Sequence, residues 1–323
     1  MSATVFRTLD EAHGRFGPCA LAIGNFDGVH IGHQALLREA IAAATNKGFA
    51  PAVLTFHPHP AAIVASDHVP PLITTLDEKL RLLGASGVER ILVLPFTAEL
   101  AKMPPGEFVR AILVEAMDAR EIVVGDNFRF GHRAAGNPQI LRELQGEFGF
   151  VSQFVPPVKY RGEIVSSSLI RQYIQKGNVS RAARLLDRCF AIEGPVVTGQ
   201  GVGSKQTVPT LNLLPVPGHV LPRGVYITET IDPSRARRWH SVTNVGTRPT
   251  FDGHAITIET FLLSPFDGDT PDQIRVEFRR FIRAEKQFPD PAALKAQIMR
   301  DVNSTTRYWR RVTARVPATP LLH

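Results

Sequence analysis

The first half of the chain alternates short apolar runs with amphipathic helical patterns, and this alternation constrains the fold more than any other feature. Continuous apolar runs are typical of strands buried on both faces of a parallel sheet. After His33 the apolar residues recur at helical spacing as far as Gly48, and Thr75 with Glu78 is a capping box that predicts the next helix. These units predict a doubly wound α/β domain, which binds ligands at the carboxyl ends of its strands. The strand runs are ALAIGNF (20–26), AVLTF (52–56), RILVLPF (90–96), EIVVGD (121–126) and FVSQFVPP (150–157).

From about residue 194 the pattern changes to short β-branched and aromatic segments separated by Gly, Pro and Asp. These segments predict a small antiparallel β-barrel, followed by a C-terminal helix in PAALKAQIMRDVNSTTRYWRR. Two helical patterns, SSSLIRQYIQKG and VSRAARLLDR, join the two parts. We therefore expect one domain over residues 1–187 and a second over residues 188–323. The barrel segments are GPVVTG, TLNLL, GVYITET, WHSVTNVG, ITIETFLL and QIRVEFRRFI.

Charge is distributed unevenly along the 323 residues, a length that suits two domains with separate cores. Residues 1–150 carry 13 basic and 16 acidic side chains, whereas residues 151–323 carry 24 basic and 14 acidic ones. A basic surface suits nucleic acid, an acidic membrane or phosphorylated small molecules. A nucleic-acid-binding or regulatory flavin-sensing protein is one alternative, but Arg235, Arg237 and Arg238 are not interleaved with an aromatic RNA motif or a helix-turn-helix. We expect no nucleic-acid partner.

The cysteine content and the apolar runs indicate the compartment. Cys19 and Cys189 are the only cysteines, too few for a disulfide framework. The N-terminal sequence has no apolar stretch of signal-peptide length, and no run approaches the ~20 apolar residues of a membrane span. We expect a cytoplasmic protein without membrane association, and weak homo-oligomerisation stays open.

The string GNFDGVHIGH lies where the first strong strand ends and a helix begins. An α/β fold offers backbone N–H groups and a positive helix dipole to phosphate at such a point. His30 and His33 can both face it, imidazoles donate hydrogen bonds to phosphate oxygens, and Gly32 allows the backbone to approach closely. The alternative is that one histidine caps the helix and the other lies on the surface. The strand-to-helix context favours nucleotide binding.

HIGH is the signature of the nucleotidyltransferase superfamily, and the longer string GNFDGVHIGHQALL resembles the bacterial bifunctional riboflavin kinase / FAD synthetase family. Together with the barrel, the resemblance covers nearly the whole chain. It implies ATP-dependent phosphorylation of riboflavin to FMN and adenylylation of FMN to FAD with release of pyrophosphate. It also implies Mg²⁺ as the cofactor and riboflavin, FMN and ATP as small-molecule partners. Three further segments agree in order, TFHPHP (55–60), VVGDNFRFGHRAAGN (123–137) and VSSSLIRQYIQKGNVSRAARLL (165–186).

The resemblance implies roles for individual residues of the α/β domain. His30 and His33 would stabilise the charge on the transferred phosphate, and Arg171 would hold the leaving phosphates with its planar guanidinium. Asn127 stands where many members have Asp, and Leu169 replaces a common Arg, which removes one charge from the phosphate site. A plain serine cap at a helix start is the alternative interpretation of SSSLIRQ. The nucleotide-binding residues so implied are Gly24, Asn25, Phe26, Asp27, Gly32, Asn127, Ser166, Ser167 and Ser168, and Phe56 and Phe128 are implied to bind flavin.

The glycine loop GQGVGSKQTVPTLNLL begins like a P-loop but is not one, because it lacks the terminal Gly-Lys-Ser/Thr. It resembles the PTAN motif of riboflavin kinase, which implies that Thr210 and Asn212 hold Mg²⁺. Leu211 stands for the Ala of that motif, Thr207 for a common Gly, and Ser204 with Lys205 for positions often filled by Arg. An ordinary glycine-rich hairpin is the alternative. The nucleotide-binding residues implied here are Gly199, Gly201, Gly203 and Lys205.

Glu259, in ITIETFLL, falls where the family carries its catalytic Glu, which can accept the proton of the riboflavin 5′-hydroxyl. The alternating pattern leaves its side chain facing either solvent or a cleft. The preceding segment NVGTRPTFDG resembles a segment of these kinases, and this resemblance favours the cleft. Arg283, in FIRAEKQF, resembles a residue of the flavin-side closing segment. The altered glycine loop leaves a second function open, a single-activity FMN adenylyltransferase whose barrel binds flavin without kinase turnover.

Overall fold

The computed structural model describes residues 3–197, 210–250, 253–264 and 269–314. The chain divides into two compact units, Met1–Leu169 and Ile170–His323.

A six-stranded sheet forms the centre of the first unit, in the order β1-β4-β3-β2-β5-β6 with every neighbouring pair parallel. Five of its strands are those expected from the sequence, and β1 is an additional edge strand. A separate antiparallel pair, β7 with β8, follows the sheet. The strands are β1 (Thr4–Phe6), β2 (Cys19–Ile23), β3 (Ala50–His57), β4 (Arg90–Pro95), β5 (Ala119–Gly125), β6 (Val151–Val155), β7 (Lys159–Tyr160) and β8 (Glu163–Ile164).

Helices lie between these strands. Two of them have the ends that the sequence predicts: the long second helix stops at Gly48, whose φ is 70°, and the fourth is capped by Thr75, whose hydroxyl accepts a hydrogen bond from the N–H of Glu78 at 3.2 Å. The helices are α1 (Leu9–Ala12), α2 (Ile31–Lys47), α3 (Ala61–Val64), α4 (Leu76–Ala85), α5 (Ala98–Lys102), α6 (Pro105–Glu107), which continues as a π-helical stretch over Phe108–Ala116, and α7 (Pro138–Phe148). Short 3₁₀ turns cover Ser66–His68 and His132–Ala134.

Both faces of the parallel sheet are covered, as a doubly wound fold requires. On β5, Ile122 and Val124 belong to one buried cluster and Val123 belongs to another. The first cluster contains Leu113 of the π-helical stretch, and the second contains Leu37 of α2. Each fully buried aliphatic side chain of this kind contributes about 1.5–3 kcal/mol relative to exposure. The predicted α/β architecture is confirmed.

The second unit contains a closed six-stranded barrel in the order β10-β13-β12-β11-β14-β9, with every described pair antiparallel. Each of the six predicted segments forms one strand. The predicted barrel is therefore confirmed. Its strands are β9 (Phe190–Val197), β10 (Thr210–Leu213), β11 (Gly224–Asp232), β12 (Arg237–Thr250), β13 (Gly253–Leu262) and β14 (Gln273–Arg283).

Hydroxyl side chains fill part of the barrel interior. Their oxygens lie 2.8–3.0 Å apart in a connected set of hydrogen bonds, and every member is fully buried. Such a satisfied polar network is compatible with a closed core. The side chains that alternate with it along the strands, such as Glu259 beside Thr260, lie on the other face of the barrel wall. The network consists of Thr228, Thr230, Ser241, Thr243 and Thr260.

Three helices accompany the barrel sequence, α8 (Ser167–Gln175), α9 (Val179–Leu186) and α10 (Pro291–Thr313). Helix α9 packs on β14 and β9, and the ring of Trp309 on α10 stacks on His240 of β12 at 3.9 Å. Helix α8 crosses the division between the two units at Leu169. The boundary predicted between residues 187 and 188 falls just after α9 and stays a prediction. Within the described residues, no helix combines the length and the apolar character needed to cross a membrane.

Candidate active sites

The loop between β2 and α2 holds an unusual backbone conformation. Phe26 and Val29 have φ values of 50° and 39°, in the left-handed region that side-chain-bearing residues rarely adopt. Phe26 is fully buried and joins the core beside α2. A conformation of this kind persists only where the surroundings impose it, and such sites cluster at functional positions.

His30 and His33 lie together at the start of α2. The Nδ1 atom of His30 accepts a hydrogen bond from the N–H of His33 at 3.2 Å, and the two rings stack with their centroids 3.6 Å apart. Because Nδ1 accepts, the proton of a neutral His30 ring is on Nε2. His30 therefore caps the helix, as one part of the alternative interpretation expects, whereas His33 is half-buried rather than on the surface. Nucleotide binding by the pair stays a prediction.

Gly32 makes this ring position possible. A Cβ atom at residue 32 would lie 3.1 Å from two ring atoms of His30 and 3.7 Å from the carbonyl oxygen of Val165. A side chain there would press the imidazole away from the helix start. The glycine is therefore a packing requirement of the histidine pair.

Asp27 holds the loop in place from inside the protein. Its carboxylate is buried and accepts hydrogen bonds from the N–H groups of Ile73 at 2.9 Å and Thr74 at 3.2 Å. The hydroxyl of Thr74 in turn accepts from the N–H of Gly28 at 3.1 Å. These contacts anchor the backbone of the loop, and the nucleotide-binding role of Asp27 stays a prediction.

The serine segment meets the same loop. Ser167 donates its hydroxyl to the carbonyl oxygen of Asp27 at 2.9 Å, and Ser166 accepts from the N–H of Leu169 at 3.2 Å as a helix cap. Ser168 is exposed. Arg171 lies one turn further along α8, has a buried side chain, and falls in the second compact unit.

The flavin and nucleotide candidates stand at neighbouring strand ends. Phe56 is on β3, two residues after Leu54, which accepts from the N–H of Gly24 at 3.1 Å. Asn127 and Phe128 follow β5, and the exposed amide of Asn127 lies close over Gly125. The ring of Phe128 stacks on Phe130 at 5.3 Å, and the ring of Phe56 meets Phe96 edge-on at 5.6 Å. Since β3, β2 and β5 are adjacent and parallel, these residues share the carboxyl edge of the sheet with the histidine loop.

Sequence reasoning missed Lys79, which lies on α4 beneath this edge. Its ammonium group is within hydrogen-bond distance of the carbonyl oxygens of Asn25 and Phe56 and of the hydroxyl of Thr55. In the sequence, a lysine within DEKLRLL reads as part of a solvated helix face. The structure was needed to show that Lys79 lies on the buried face of α4.

On the barrel, three polar side chains form a row across adjacent strands. Asn212 of β10 is the direct partner of Glu259 on β13, and Glu259 is the direct partner of Asn244 on β12. Direct partners project to the same side of a sheet. All three are half-buried, while Ile258 and Thr260 beside Glu259 are buried in the interior. Thr210 lies two residues before Asn212 and so faces the same side.

Asn244 is a candidate site residue that the sequence analysis did not identify. Its Oδ1 atom is buried and has no hydrogen-bond partner in the described part of the chain. A buried acceptor without a partner costs free energy, so such an atom marks a place where a donor or cation is expected. The oxygen set of Thr210, Asn212 and Asn244 suits a Mg²⁺ ion that takes its other ligands from phosphate and water, which leaves the carboxylate of Glu259 for another role.

No group of three or more His, Cys, Asp or Glu side chains suited to a metal occurs among the residues that the structure describes. A cation at the Thr210–Asn212 site would therefore depend on phosphate oxygens for most of its negative charge. The glycine loop candidates Gly199, Gly201, Gly203 and Lys205 lie outside the described residues.

Arg283 is engaged with the C-terminal helix. Its guanidinium donates from Nε at 3.0 Å and Nη2 at 2.8 Å to the buried carboxylate of Asp301, and it lies 5.7 Å from the ring centre of Phe288. This pairing fastens the end of β14 to α10. The flavin contact of Arg283 stays a prediction.

Two family models match the chain, one in each compact unit, and they define a two-domain transferase with a nucleotidyltransferase-type α/β unit followed by a flavokinase-type barrel. Residues 14–169 match the family model for FAD synthetase, and residues 186–309 match that for riboflavin kinase. The chain belongs to the bifunctional riboflavin kinase/FMN adenylyltransferase family, which confirms the predicted family.

Individual relatives agree with the two domain models. The bifunctional riboflavin kinase/FMN adenylyltransferase of Escherichia coli (strain K12) is 36% identical over 284 residues, covering 88% of this chain and 90% of the relative. The protein of the same name from Pseudomonas fluorescens is 34% identical over 287 residues, covering 88% and 91%. A crystal structure of a protein named macrolide-efflux protein from Streptococcus pneumoniae has a TM-score of 0.83 at 28% identity, covering 95% of this chain and 99% of that one. The two matching domains favour two activities over a single adenylyltransferase.

Proposed function

We propose that the first unit joins AMP to FMN at the β2–α2 loop. An oxygen of the FMN phosphate attacks the α-phosphorus of ATP, a new P–O bond forms, and the bond to the bridging oxygen breaks to release pyrophosphate. Negative charge builds on the nonbridging oxygens, so the protein's task is to position the reactants and stabilise that charge. The observation that carries this proposal is the histidine pair at the start of α2, where Nδ1 of His30 accepts from the N–H of His33. A neutral His30 ring then carries its proton on Nε2 and can donate it to a phosphate oxygen.

The same proposal gives roles to the other candidate residues. Ser166, Ser167 and Ser168, with the guanidinium of Arg171, would hold the leaving phosphates. Phe56 and Phe128 would offer apolar ring surfaces to the isoalloxazine at the same strand edge. Asp27 acts through the loop, since its carboxylate accepts hydrogen bonds from backbone N–H groups.

We infer that the barrel transfers the γ-phosphoryl group of ATP to the 5′-hydroxyl of riboflavin. Glu259 would accept the hydroxyl proton as the phosphoryl group arrives, and ADP would leave. Thr210 and Asn212 would hold Mg²⁺ together with ATP phosphate oxygens, and Asn244 would complete this row from β12. When bound, Mg²⁺ neutralises the phosphate charge and aligns the transferred group. The supporting observation is the direct pairing of Asn212, Glu259 and Asn244 across three strands.

One experiment tests whether the two activities reside at separate sites. Glu259→Gln and His30→Asn proteins would each be assayed for FMN formation from riboflavin and for FAD formation from supplied FMN, with ATP and Mg²⁺. Loss of only the first activity in Glu259→Gln, and of only the second in His30→Asn, supports two separate sites. Loss of both activities in either variant would refute the assignment. The small-molecule substrates, the domain boundary at residues 187/188 and a cytoplasmic location belong to the same proposal.

A further inference from the structure

Lys79 is a buried cation that no step of the proposed mechanism uses. It lies on α4, one turn after the cap residue Thr75, and only 8% of its surface is exposed. An isolated ammonium group is costly to bury, so a lysine in this position requires partners for its three protons. The partners are all at the carboxyl edge of the sheet.

The ammonium nitrogen has three acceptors at hydrogen-bond distance. The carbonyl oxygen of Asn25 lies at 3.2 Å, the hydroxyl of Thr55 at 3.2 Å, and the carbonyl oxygen of Phe56 at 3.4 Å. Thr55 donates its own proton to the carbonyl of Asn25 at 3.2 Å. The three N–H donors of the Lys79 ammonium group match these three acceptors. The group is therefore hydrogen-bonded within the protein and does not contact a substrate.

These acceptors belong to two different parts of the adenylylation site. Asn25 begins the loop that leads to His30, whereas Phe56 lies near the end of β3 on the expected flavin side. One side chain therefore fixes the backbone that carries the nucleotide-side histidines and the backbone that carries the flavin-side ring. In the proposed reaction, the relative placement of these two backbones would align the FMN phosphate with the α-phosphorus of ATP.

We propose that Lys79 is a positioning residue for FMN adenylylation, which sets the distance between the nucleotide side and the flavin side of the site. The proposal rests on the proposed reaction of the first unit. Reactive groups misplaced by about 1 Å can cost on the order of 100-fold in rate, and the loss falls on alignment rather than on the binding of either substrate alone. The signature of this role is therefore a change in kcat with little change in either KM.

The charge of this group depends on pH near neutrality. Burial lowers the pKa of Lys79 to about 8, and the nearby charge of Asp27 opposes that shift. The other titratable group affected is His57, whose pKa is lowered by burial and then by the charges of Lys79 and Arg7. Above about pH 8 the amine loses one donor and its charge, and one of the three acceptors loses its partner.

The test compares Lys79→Met with Lys102→Met, which replaces an exposed lysine at the end of α5. We expect Lys79→Met to lower the kcat of FMN adenylylation at least 10-fold, to change the KM for ATP and for FMN less than threefold, and to leave riboflavin phosphorylation by the same preparation within twofold. Lys102→Met should match the unmodified protein in every measurement. Adenylylation within twofold of the unmodified protein, or equal loss of both activities, would overturn the proposal.

A second measurement needs no substitution and decides the matter if Lys79→Met does not fold. The kcat of adenylylation by the unmodified protein, measured from pH 6.5 to 9.5, should fall with an apparent pKa near 8, while the kinase kcat shows no matching fall. Parallel profiles for the two activities, or a flat adenylylation profile, would overturn the role of Lys79. Failure of the proposed function itself is distinguishable, because the unmodified protein would then form no FAD from FMN at any pH.

Discussion

Asn212 and Glu259 lie directly opposite each other on adjacent antiparallel strands of the barrel, on the side that faces away from the buried hydroxyl network. The pairing brings together an amide and a carboxylate that are far apart in sequence. Since direct partners in a sheet stand about 4.5–5.5 Å apart at Cβ, a group bound by Asn212 is within reach of Glu259.

The carboxylate of Glu259 is expected to be needed only for the kinase reaction. Replacing it with glutamine keeps the size of the side chain but removes the proton acceptor, so FMN formation should fall about 100-fold or more. The measurement is the initial rate of FMN formation from riboflavin at saturating ATP. Asn178→Asp, at the start of α9 in the same unit, serves as a control that changes one charge away from this row. A Glu259→Gln protein that keeps more than half of the kinase rate would contradict the role.

Asn244 should contribute to activity and not to stability. Replacing it with leucine of similar size removes the buried acceptor that has no partner in the described residues, and such an exchange is close to neutral for folding. We expect the kinase rate to fall at least 10-fold while the melting temperature stays the same or rises. The pair of measurements is kinase activity and thermal unfolding. A lower melting temperature with unchanged kinase activity would show that Asn244 is structural.

His30 combines a cap and a donor, and two substitutions separate these roles. His30→Asn keeps a side-chain acceptor for the N–H of His33 but has no Nε2 donor, whereas His30→Ala removes both. Both should lower adenylylation about 100-fold, as the loss of one donor to a developing oxyanion does in other enzymes. Only His30→Ala should also destabilise the protein, by about 1 kcal/mol. Urea unfolding together with the FAD-forming rate checks both parts, and normal adenylylation by His30→Asn would exclude Nε2 as the donor.

The α/β fold could be predicted from the sequence because each strand is a continuous apolar run and several helices have recognisable caps. Gly48 and Thr75 are local signals, and both act as expected. Strand β1 was missed because TVF is only three residues long and lies at the edge of the sheet. Its place depends on pairing with β4, which no local pattern encodes.

The candidate sites were predictable only where a motif carries its residues in one stretch. His30, His33 and Gly32 are such a case. The partners of Asp27 at Ile73 and Thr74, the acceptors of Lys79 and the row that includes Asn244 arise from contacts between distant segments. A lysine in a helix and an asparagine in a strand have ordinary solvent-exposed interpretations, so tertiary structure was needed to distinguish them.

Asp232, at the hairpin between β11 and β12, should make the stability of the folded protein depend on pH in the acidic range. Burial raises the pKa of Asp232, but hydrogen bonds from Ser234 and Arg237 outweigh that effect and lower it to about 2, from an ordinary value of 3.8. The ionised form is therefore favoured in the folded protein. Its contribution is fully present above about pH 4 and is lost as pH falls through 2.

Asp232→Asn tests this pH dependence. The substituted protein should be less stable than the unmodified one at pH 7, by roughly 1–3 kcal/mol, because Arg237 and Ser234 lose a charged acceptor. The difference should shrink as pH falls from 4 towards 2. Chemical unfolding followed by circular dichroism at several pH values measures it, and a difference that is constant with pH would contradict the assignment.

The proposed function places two successive transfers at separate sites of one chain. It is tested most directly by incubating the unmodified protein with riboflavin, ATP and Mg²⁺ and resolving the flavins by chromatography over time. FMN should form first, and FAD should then accumulate with one pyrophosphate released per FAD. Absence of FMN from riboflavin, or formation of FMN that is never converted to FAD, would contradict it.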